Sequence, residues 1–125
     1  RQFFGDNQTI EKEAISDLDK GFVSRFKSLV EERMKDAELN VEDLGRNMGM
    51  SRVQLYRKLK SLTNYSPNEL LRQMRLKKAA SLLASSDMTV AEIAYEVGFS
   101  SPSYFTKCYK EQFGESPTEF LKRRG

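Results

Sequence analysis

The residues best equipped for chemistry lie in one short segment, Ser51 to Lys60, which contains four basic side chains and no acidic one. Arg57 can donate two hydrogen bonds to a guanine, and Lys60 can reach a phosphate. Val53 can touch a thymine methyl group, and Tyr56 can pack on a base or reach a phosphate. This combination of donors and apolar groups favours a surface that contacts a polyanion.

A helix over residues 52–62 would hold these side chains on one face, because its apolar positions recur at helical spacing. The inward positions are Leu55, Leu59 and Leu62. Ser51 can cap the start of this helix, and Gly49 can adopt the left-handed backbone that a sharp turn needs. A short helix capped by Asn40 and running to Met48 would precede the turn. Short helix, glycine turn and second helix together form the helix-turn-helix plan.

The plan occurs twice, since the stretch from 41 to 71 returns loosely as 90 to 121. Gly49 returns as Gly98, 49 positions later, whereas Ser66 returns as Ser116, 50 positions later. One residue is therefore inserted in the second copy, near Ser101. A period of about 50 residues is typical of two copies of one supersecondary unit.

The second copy predicts a helix over 90–97 capped by Thr89, a turn at Gly98, and a further helix that begins after Ser100 or Ser101 and ends near residue 113. Its inward positions are Phe105, Tyr109 and Phe113. Its outward positions are Pro102, Ser103, Thr106, Lys107 and Lys110. This face is smaller and less charged, so we expect the first copy to supply more of the electrostatic affinity for a polyanion.

The remaining segments predict the elements that position the two copies. An apolar stripe from Phe22 to Met34 predicts a helix that is capped by Asp19 and fades near Ala37. Ser66 and Pro67 begin a long helix of about 18 residues, some 27 Å in length, which would bridge the copies.

We therefore predict an all-α fold of about seven helices without strands. Residues 1–15 form a linker or N-terminal arm, with a helical turn near Thr9–Ala14. The first helix-turn-helix subdomain spans 16–66, the linking helix 67–85 and the second subdomain 86–125. Each copy alone is too small for a comfortable core, so the copies should share or brace one.

Composition excludes several other functions. The 125 residues include no histidine and a single cysteine, which removes histidine-based catalysis, disulfides and cysteine-rich zinc sites. We expect no enzyme, no metal, no cofactor, no small-molecule site and no membrane contact by this segment. Residues 1–20 carry a net charge of −2 (three basic, five acidic), residues 21–38 are neutral (four of each), and residues 39–125 carry +5 (fourteen basic, nine acidic). The repeats hold all of the positive excess.

Some basic residues admit two interpretations. A basic helix face is most often solvated surface, and the chain could be a helical protein-interaction module whose basic faces meet an acidic partner. Four basic residues of the linking helix could either form a solvated face, which we prefer, or contact phosphate groups: Arg72, Arg75, Lys77 and Lys78. Residues 122–124 complement the dipole of the last helix. Cys108 is interpreted as a half-buried filler of the core.

Two motifs resemble the DNA-binding domain of AraC/XylS-family transcription regulators. The first is Leu55-Tyr56-Arg57-Lys58-Leu59-Lys60 with Ser66-Pro67 and Arg75-Leu76-Lys77-Lys78-Ala79-Ala80. The second is Ile93-Ala94-Tyr95-Glu96-Val97-Gly98-Phe99-Ser100-Ser101-Pro102-Ser103-Tyr104-Phe105 with Phe113-Gly114-Glu115-Ser116-Pro117. The resemblance covers residues 20–124. Its first half also looks like the C-terminal output domains of hybrid two-component regulators.

The resemblance implies sequence-specific binding to double-stranded DNA by a cytoplasmic regulator, usually an activator, that reads two successive major grooves. The resemblance also allows contact with RNA polymerase. A longer parent protein could be anchored in a membrane. The implied base-contacting residues are Arg52, Val53, Tyr56, Arg57, Pro102, Ser103, Thr106 and Lys107. The implied backbone-contacting residues are Ser51, Lys60, Ser101 and Lys110. Two residues depart from the family pattern: Asn64 stands where glycine is common, and Pro102 has no side-chain donor.

Overall fold

A computed structural model of the chain describes residues 17–124, and this part is entirely helical, with seven helices and no strand. The helices are α1 (Asp17–Arg33), α2 (Val41–Asn47), α3 (Arg52–Thr63), α4 (Pro67–Ser85), α5 (Val90–Glu96), α6 (Pro102–Phe113) and α7 (Pro117–Arg124). The all-α prediction is confirmed. The predicted arm over 1–15, including its helical turn, lies outside the described residues.

The helices begin where short polar side chains can satisfy free backbone N–H groups. The hydroxyl group of Ser66 accepts a hydrogen bond from the Glu69 backbone N–H at 3.2 Å, and the Glu69 carboxylate accepts one from the Ser66 N–H at 2.8 Å. The same reciprocal box starts α3, α5 and α7. Local sequence therefore specifies these helix starts.

The two predicted turn glycines behave as predicted, since Gly49 and Gly98 have φ angles of 71° and 98°. Asn64 and Gly114, which cap the C-terminal ends of α3 and α6, also have positive φ angles, of 67° and 82°. Gly49 is followed after two residues by the N-cap Ser51, whereas Gly98 is followed after three by the N-cap Ser101. The inserted residue of the second copy thus lies between Gly98 and Ser101, and Ser101 is the cap.

Helix α1 differs from its prediction at both ends. Asp17 is already helical, so Asp19 lies inside the helix and is not its cap, and the helix ends at Arg33 and not near Ala37. The Arg33 carbonyl accepts a hydrogen bond from the Asp36 N–H, and the Asp36 carboxylate accepts one from the Glu38 N–H at 2.9 Å. A short side chain that bonds the nearby backbone offers an alternative to the helical hydrogen bond, and the helix stops.

The hydrophobic residues form two cores, one for each helix-turn-helix subdomain. The first contains Phe26, Val30, Leu39, Val41, Leu44, Leu55, Leu59, Leu70 and Leu71. The second contains Leu76, Ala79, Leu83, Ile93, Ala94, Val97, Phe99, Phe105, Cys108 and Tyr109. Helix α4 contributes to both cores, so the copies brace each other without sharing a single core. The domain boundaries at residues 66 and 85 stay a prediction from sequence.

At the ends of helices, one inward prediction is wrong and a second holds only in part. Phe113, the last residue of α6, is 41% exposed, and its ring packs on Tyr109 with only 4.6 Å between the ring centroids. Leu62 is half-buried near the end of α3. A side chain in the last turn covers the edge of a core, so helical spacing overstates its burial. Cys108 is more buried than predicted and lies within the second core.

Candidate nucleic-acid interface

The exposed face of α3 consists of the side chains that the sequence predicted to point outward. Val53 is 57% and Tyr56 is 47% exposed. Arg52, Arg57 and Lys60 are exposed on the same helix, while Leu55 and Leu59 on the opposite side are fully buried. The helix thus presents apolar and hydrogen-bonding groups together, as base edges in a major groove require.

One cation of α3 points elsewhere. The Lys58 Nζ lies 3.5 Å from an Asp19 carboxylate oxygen and 5.0 Å from the centroid of the Phe22 ring. Both partners belong to α1, so Lys58 ties the back of α3 to the first helix of the subdomain. Of the four basic residues of α3, the other three remain on its outer surface.

Helix α6 presents a smaller face. Ser103, Lys107 and Lys110 are exposed, whereas Pro102 and Thr106 are half-buried and lie nearer the edge than predicted. Since Pro102 also lacks a donor, contacts of this helix depend more on Ser103 and Lys107. The lower charge of this face agrees with its prediction from sequence.

Sequence reasoning missed Tyr104. This side chain is 51% exposed on α6. A hydrogen bond with the Cys108 side chain raises the pKa of the Tyr104 phenol, and Arg72 of α4 acts in the opposite direction. Tyr104 directly follows Ser103, a predicted contact residue, and this neighbouring position on α6 was the signal that could have identified it.

The capping serines stand at the N-termini of the two exposed helices. The Ser51 hydroxyl accepts a hydrogen bond from the Gln54 N–H, and the Ser101 hydroxyl accepts one from the Tyr104 N–H, both at 3.2 Å. Each hydroxyl proton can still be donated to a phosphate. The positive end of the helix dipole also favours an anion at this place.

The bridge cations do not behave alike. Arg72, Lys77 and Lys78 are exposed, as a solvated face predicts, but Arg75 is half-buried and donates to the Asp36 carbonyl oxygen at 2.8 Å. The solvated interpretation of Arg75 is therefore wrong. The helical spacing of polar and apolar residues along α4 could not show that a loop of the first subdomain covers this side chain.

The last residues of α7 also have specific partners. Arg123 pairs with the Glu115 carboxylate at 2.6 Å, and this partner lowers the pKa of Glu115 while raising that of Arg123. Arg124 donates to the Leu83 carbonyl at the end of α4. These residues fasten α7 to its own subdomain in addition to complementing the helix dipole.

Other kinds of site find little support between residues 17 and 124. No group of three or more histidine, cysteine, aspartate or glutamate side chains in this range could hold a metal ion. None of the helices described is both long and apolar enough to cross a membrane.

Two helix-turn-helix units on one linking helix, each with an exposed donor-rich face, define the class of helix-turn-helix DNA-binding domains. A family model described as a helix-turn-helix domain matches residues 44–123. The chain is 37% identical over 109 residues, 87% of its length, to Histidine kinase P4 of Formosa agariphila, of which it covers 8%. The chain covers between 8% and 37% of the length of the first curated relatives that it matches.

Solved structures agree with this class. The C-terminal domain of AraT, a response regulator from Geobacillus stearothermophilus, superposes with a TM-score of 0.78 at 28% identity, covering 89% of this chain and 88% of that one. The DNA-binding domain of AdpA, a global transcriptional factor solved with a target DNA, has a TM-score of 0.75 at 30% identity, covering 80% and 89%. The chain belongs to the AraC-type helix-turn-helix family, and it is a DNA-binding domain of a transcription regulator.

Proposed function

We propose that this domain reads one asymmetric double-stranded DNA site, with α3 in one major groove and α6 in the next. The observation that carries the proposal is the contrast between the two copies. Their buried positions correspond, whereas the outward ones differ: Val53, Tyr56 and Arg57 are replaced by the exposed Ser103 and Lys107 and the half-buried Thr106. A duplicated scaffold with different reading faces suits a site whose two halves differ in sequence.

We assign specificity and affinity to different side chains of these faces, because base contacts specify whereas phosphate contacts position. The proposed base-contacting residues are Arg52, Val53, Tyr56, Arg57, Pro102, Ser103, Thr106 and Lys107. The proposed phosphate-contacting residues are Ser51, Lys60, Ser101 and Lys110. Pro102 enters this set only as an apolar contact, because it is half-buried and has no donor.

The length of the linking helix supports binding to successive grooves. Helix α4 has 19 residues, which corresponds to about 28 Å at the standard rise. One turn of DNA separates successive major grooves by about 34 Å. The two distances are similar but unequal, so we expect the bound DNA to bend toward the domain.

The experiment that tests the proposal selects bound sites from a random duplex pool and then measures affinity over a series of salt concentrations. The expected result is a non-palindromic site with two halves about 10 base pairs apart, and an affinity that falls steeply with salt. Equal binding to the selected and scrambled duplexes at every salt concentration would contradict it. That outcome, together with binding to an acidic protein, would favour the protein-interaction module.

We also propose that the domain is the output part of a two-component regulator. This rests on its similarity to a protein named as a histidine kinase and to the C-terminal domain of a response regulator. Activation of transcription, contact with RNA polymerase and a cytoplasmic location, where the DNA is, belong to the same proposal. The selected site provides the promoter element with which a reporter assay can distinguish activation from repression.

A further inference from the structure

The two subdomains touch at a second place besides the linking helix. The loop that follows α1 in the first subdomain lies against α4 and against the turn of the second helix-turn-helix unit. Arg75 of α4 donates to the Asp36 carbonyl oxygen at 2.8 Å, and Lys35 pairs with Glu96 of α5 at 3.2 Å. We call residues 34–36 the strap. It connects the first subdomain to the second without passing through α4.

The closest approach is between backbones. A Cβ atom placed on Gly98 would lie 2.0 Å from the Met34 carbonyl oxygen and 2.7 Å from the Arg75 Nε. Gly98 is buried, so the turn before α6 fits against the strap only because it has no side chain. At the equivalent turn of the first copy, a Cβ on Gly49 would meet nothing within 4 Å.

Arg75 is suited to hold this junction. Its guanidinium group is half-buried between α4, the strap and the turn, and its Nε is buried without a hydrogen-bond partner. Burial lowers the pKa of Arg75, and the nearby Asp36 carboxylate opposes that change. A buried N–H group without a hydrogen-bond partner costs free energy. Packing and the hydrogen bond to the Asp36 carbonyl oxygen offset this cost and hold the side chain in place.

We propose that Arg75 and Gly98 are positioning residues for DNA reading: they lock the turn before α6 onto the strap and so set the separation and rotation of α6 relative to α3. The inference rests on the proposed two-groove binding. A single linking helix fixes the distance between two subdomains but leaves bending and twisting soft. A second contact away from its axis removes that freedom before DNA binds, which lowers the ordering cost at binding.

The first test measures the arrangement of the free domain and needs no DNA. Spin labels at Ser61→Cys and Glu111→Cys, in a Cys108→Ala background, report the distance between α3 and α6. We expect a narrow distance distribution in the parent domain and a broad one after Arg75→Ala, with Arg75→Lys in between, because lysine can still donate one hydrogen bond. An unchanged distribution in Arg75→Ala would overturn the proposed lock.

The two glycines provide a matched pair for the same measurement. Gly98→Ala and Gly49→Ala both place a side chain on a left-handed backbone, so each loses stability for the same local reason. Only Gly98→Ala also pushes against the strap. We expect Gly98→Ala alone to shift or broaden the distance, and an equal effect of both variants would refute the junction.

The second test uses the selected DNA site with one or two base pairs added or removed between its halves. The parent domain should prefer one spacing strongly. The Arg75→Ala variant should bind the best site about tenfold more weakly and should tolerate altered spacing. In this variant α3 and α6 would take up a fixed relative orientation only when DNA binds. Binding to each half-site alone should not change, and thermal unfolding monitored by circular dichroism confirms that the variant is folded.

The outcomes separate the two proposals. A steep spacing preference that survives Arg75→Ala, in a folded variant, contradicts the positioning role while leaving two-groove binding intact. A parent domain that shows no spacing preference but a narrow distance distribution contradicts two-groove binding and leaves the lock itself standing.

Discussion

Arg57 differs from the lysines of the exposed faces in the geometry of its donors. Its planar guanidinium group can form two parallel hydrogen bonds to one guanine, whereas a lysine ammonium group acts more like a point charge. Exposure on α3 leaves Arg57 able to reach a base edge. We therefore propose that Arg57 contributes to sequence specificity through the geometry of its donors and not only through its charge.

We predict that Arg57→Ala weakens binding to the selected site by about 1–3 kcal/mol and relaxes the preference at one base pair. Lys110→Ala is the matched control, because loss of a phosphate contact should weaken all sequences alike and reduce the salt dependence. Site selection with each variant measures both effects. If Arg57→Ala selected the same site with the same stringency, Arg57 would not be a base-reading residue.

Asn64 and Gly114 occupy equivalent positions at the ends of α3 and α6, and both have a left-handed backbone. Their N–H groups donate to the Lys60 and Lys110 carbonyl oxygens, at 2.9 and 2.8 Å. Glycine adopts this conformation more easily than asparagine. Asn64→Gly should therefore raise the stability by roughly 0.5 kcal/mol, and Gly114→Asn should lower it by a similar amount.

Thermal unfolding of the two single variants and of the double exchange measures these changes. Since the sites belong to different subdomains, the double variant should be close to the parent in stability. A lower melting temperature for Asn64→Gly would show that the asparagine side chain contributes something that the left-handed backbone does not explain.

At the scale of elements, the capping boxes connect helix stability with pH. Hydrogen bonds from the backbone and hydroxyl of Ser66 lower the pKa of Glu69, and equivalent bonds lower those of Glu92 and Glu119. A carboxyl group whose pKa is lower in the folded than in the unfolded state binds fewer protons when folded. Its stabilising contribution is present above the unfolded pKa and is lost as the pH falls through the folded one.

We predict that Glu69→Gln, which keeps an acceptor for the Ser66 N–H but cannot ionise, flattens the loss of stability below about pH 4.3. Urea unfolding between neutral and acidic pH measures this slope. Glu31→Gln, in the later part of α1 and away from a helix start, is the control and should leave the slope nearly unchanged. A slope that both variants alter equally would mean that net charge, and not the capping box, controls acid stability.

At the scale of the whole molecule, the presence of two cores determines which helices lose stability when a core residue is truncated. Phe105 is fully buried at the centre of the second core, and Phe26 is fully buried in the first. Truncation of such a phenylalanine typically costs about 3–5 kcal/mol, because it removes buried apolar surface and leaves a cavity. The other core keeps its own contacts.

We predict that Phe105→Ala removes hydrogen-exchange protection from α5, α6 and α7 well before α1, α2 and α3 are affected. Phe26→Ala should show the reverse order, which makes each variant the control for the other. Mass spectrometry of proteolytic fragments after exchange provides the measurement. Simultaneous loss of protection throughout residues 17–124 would show that the strap and α4 couple the cores into one cooperative unit.

Most of the local structure could be predicted because its causes lie within a few residues of each other. A serine hydroxyl, a carboxylate three positions later and a proline between them specify a helix start, as at Ser66. A glycine that must adopt a positive φ specifies a turn, as at Gly98. The exposed faces of α3 and α6 follow from apolar spacing in the same way. The exposure of Phe113 and the end of α1 also have local causes, the last turn of a helix and an aspartate that bonds the nearby backbone, but helical spacing alone does not show them.

By itself, then, the sequence determined the seven helices, the duplicated helix-turn-helix plan and most side chains of the exposed faces of α3 and α6, since caps, turns and helical periodicity are local properties. Only the tertiary structure revealed the junction, in which Arg75 meets a carbonyl 39 residues earlier and Gly98 meets the backbone of Met34. Such contacts leave no periodic trace, because they depend on how the two subdomains pack against each other.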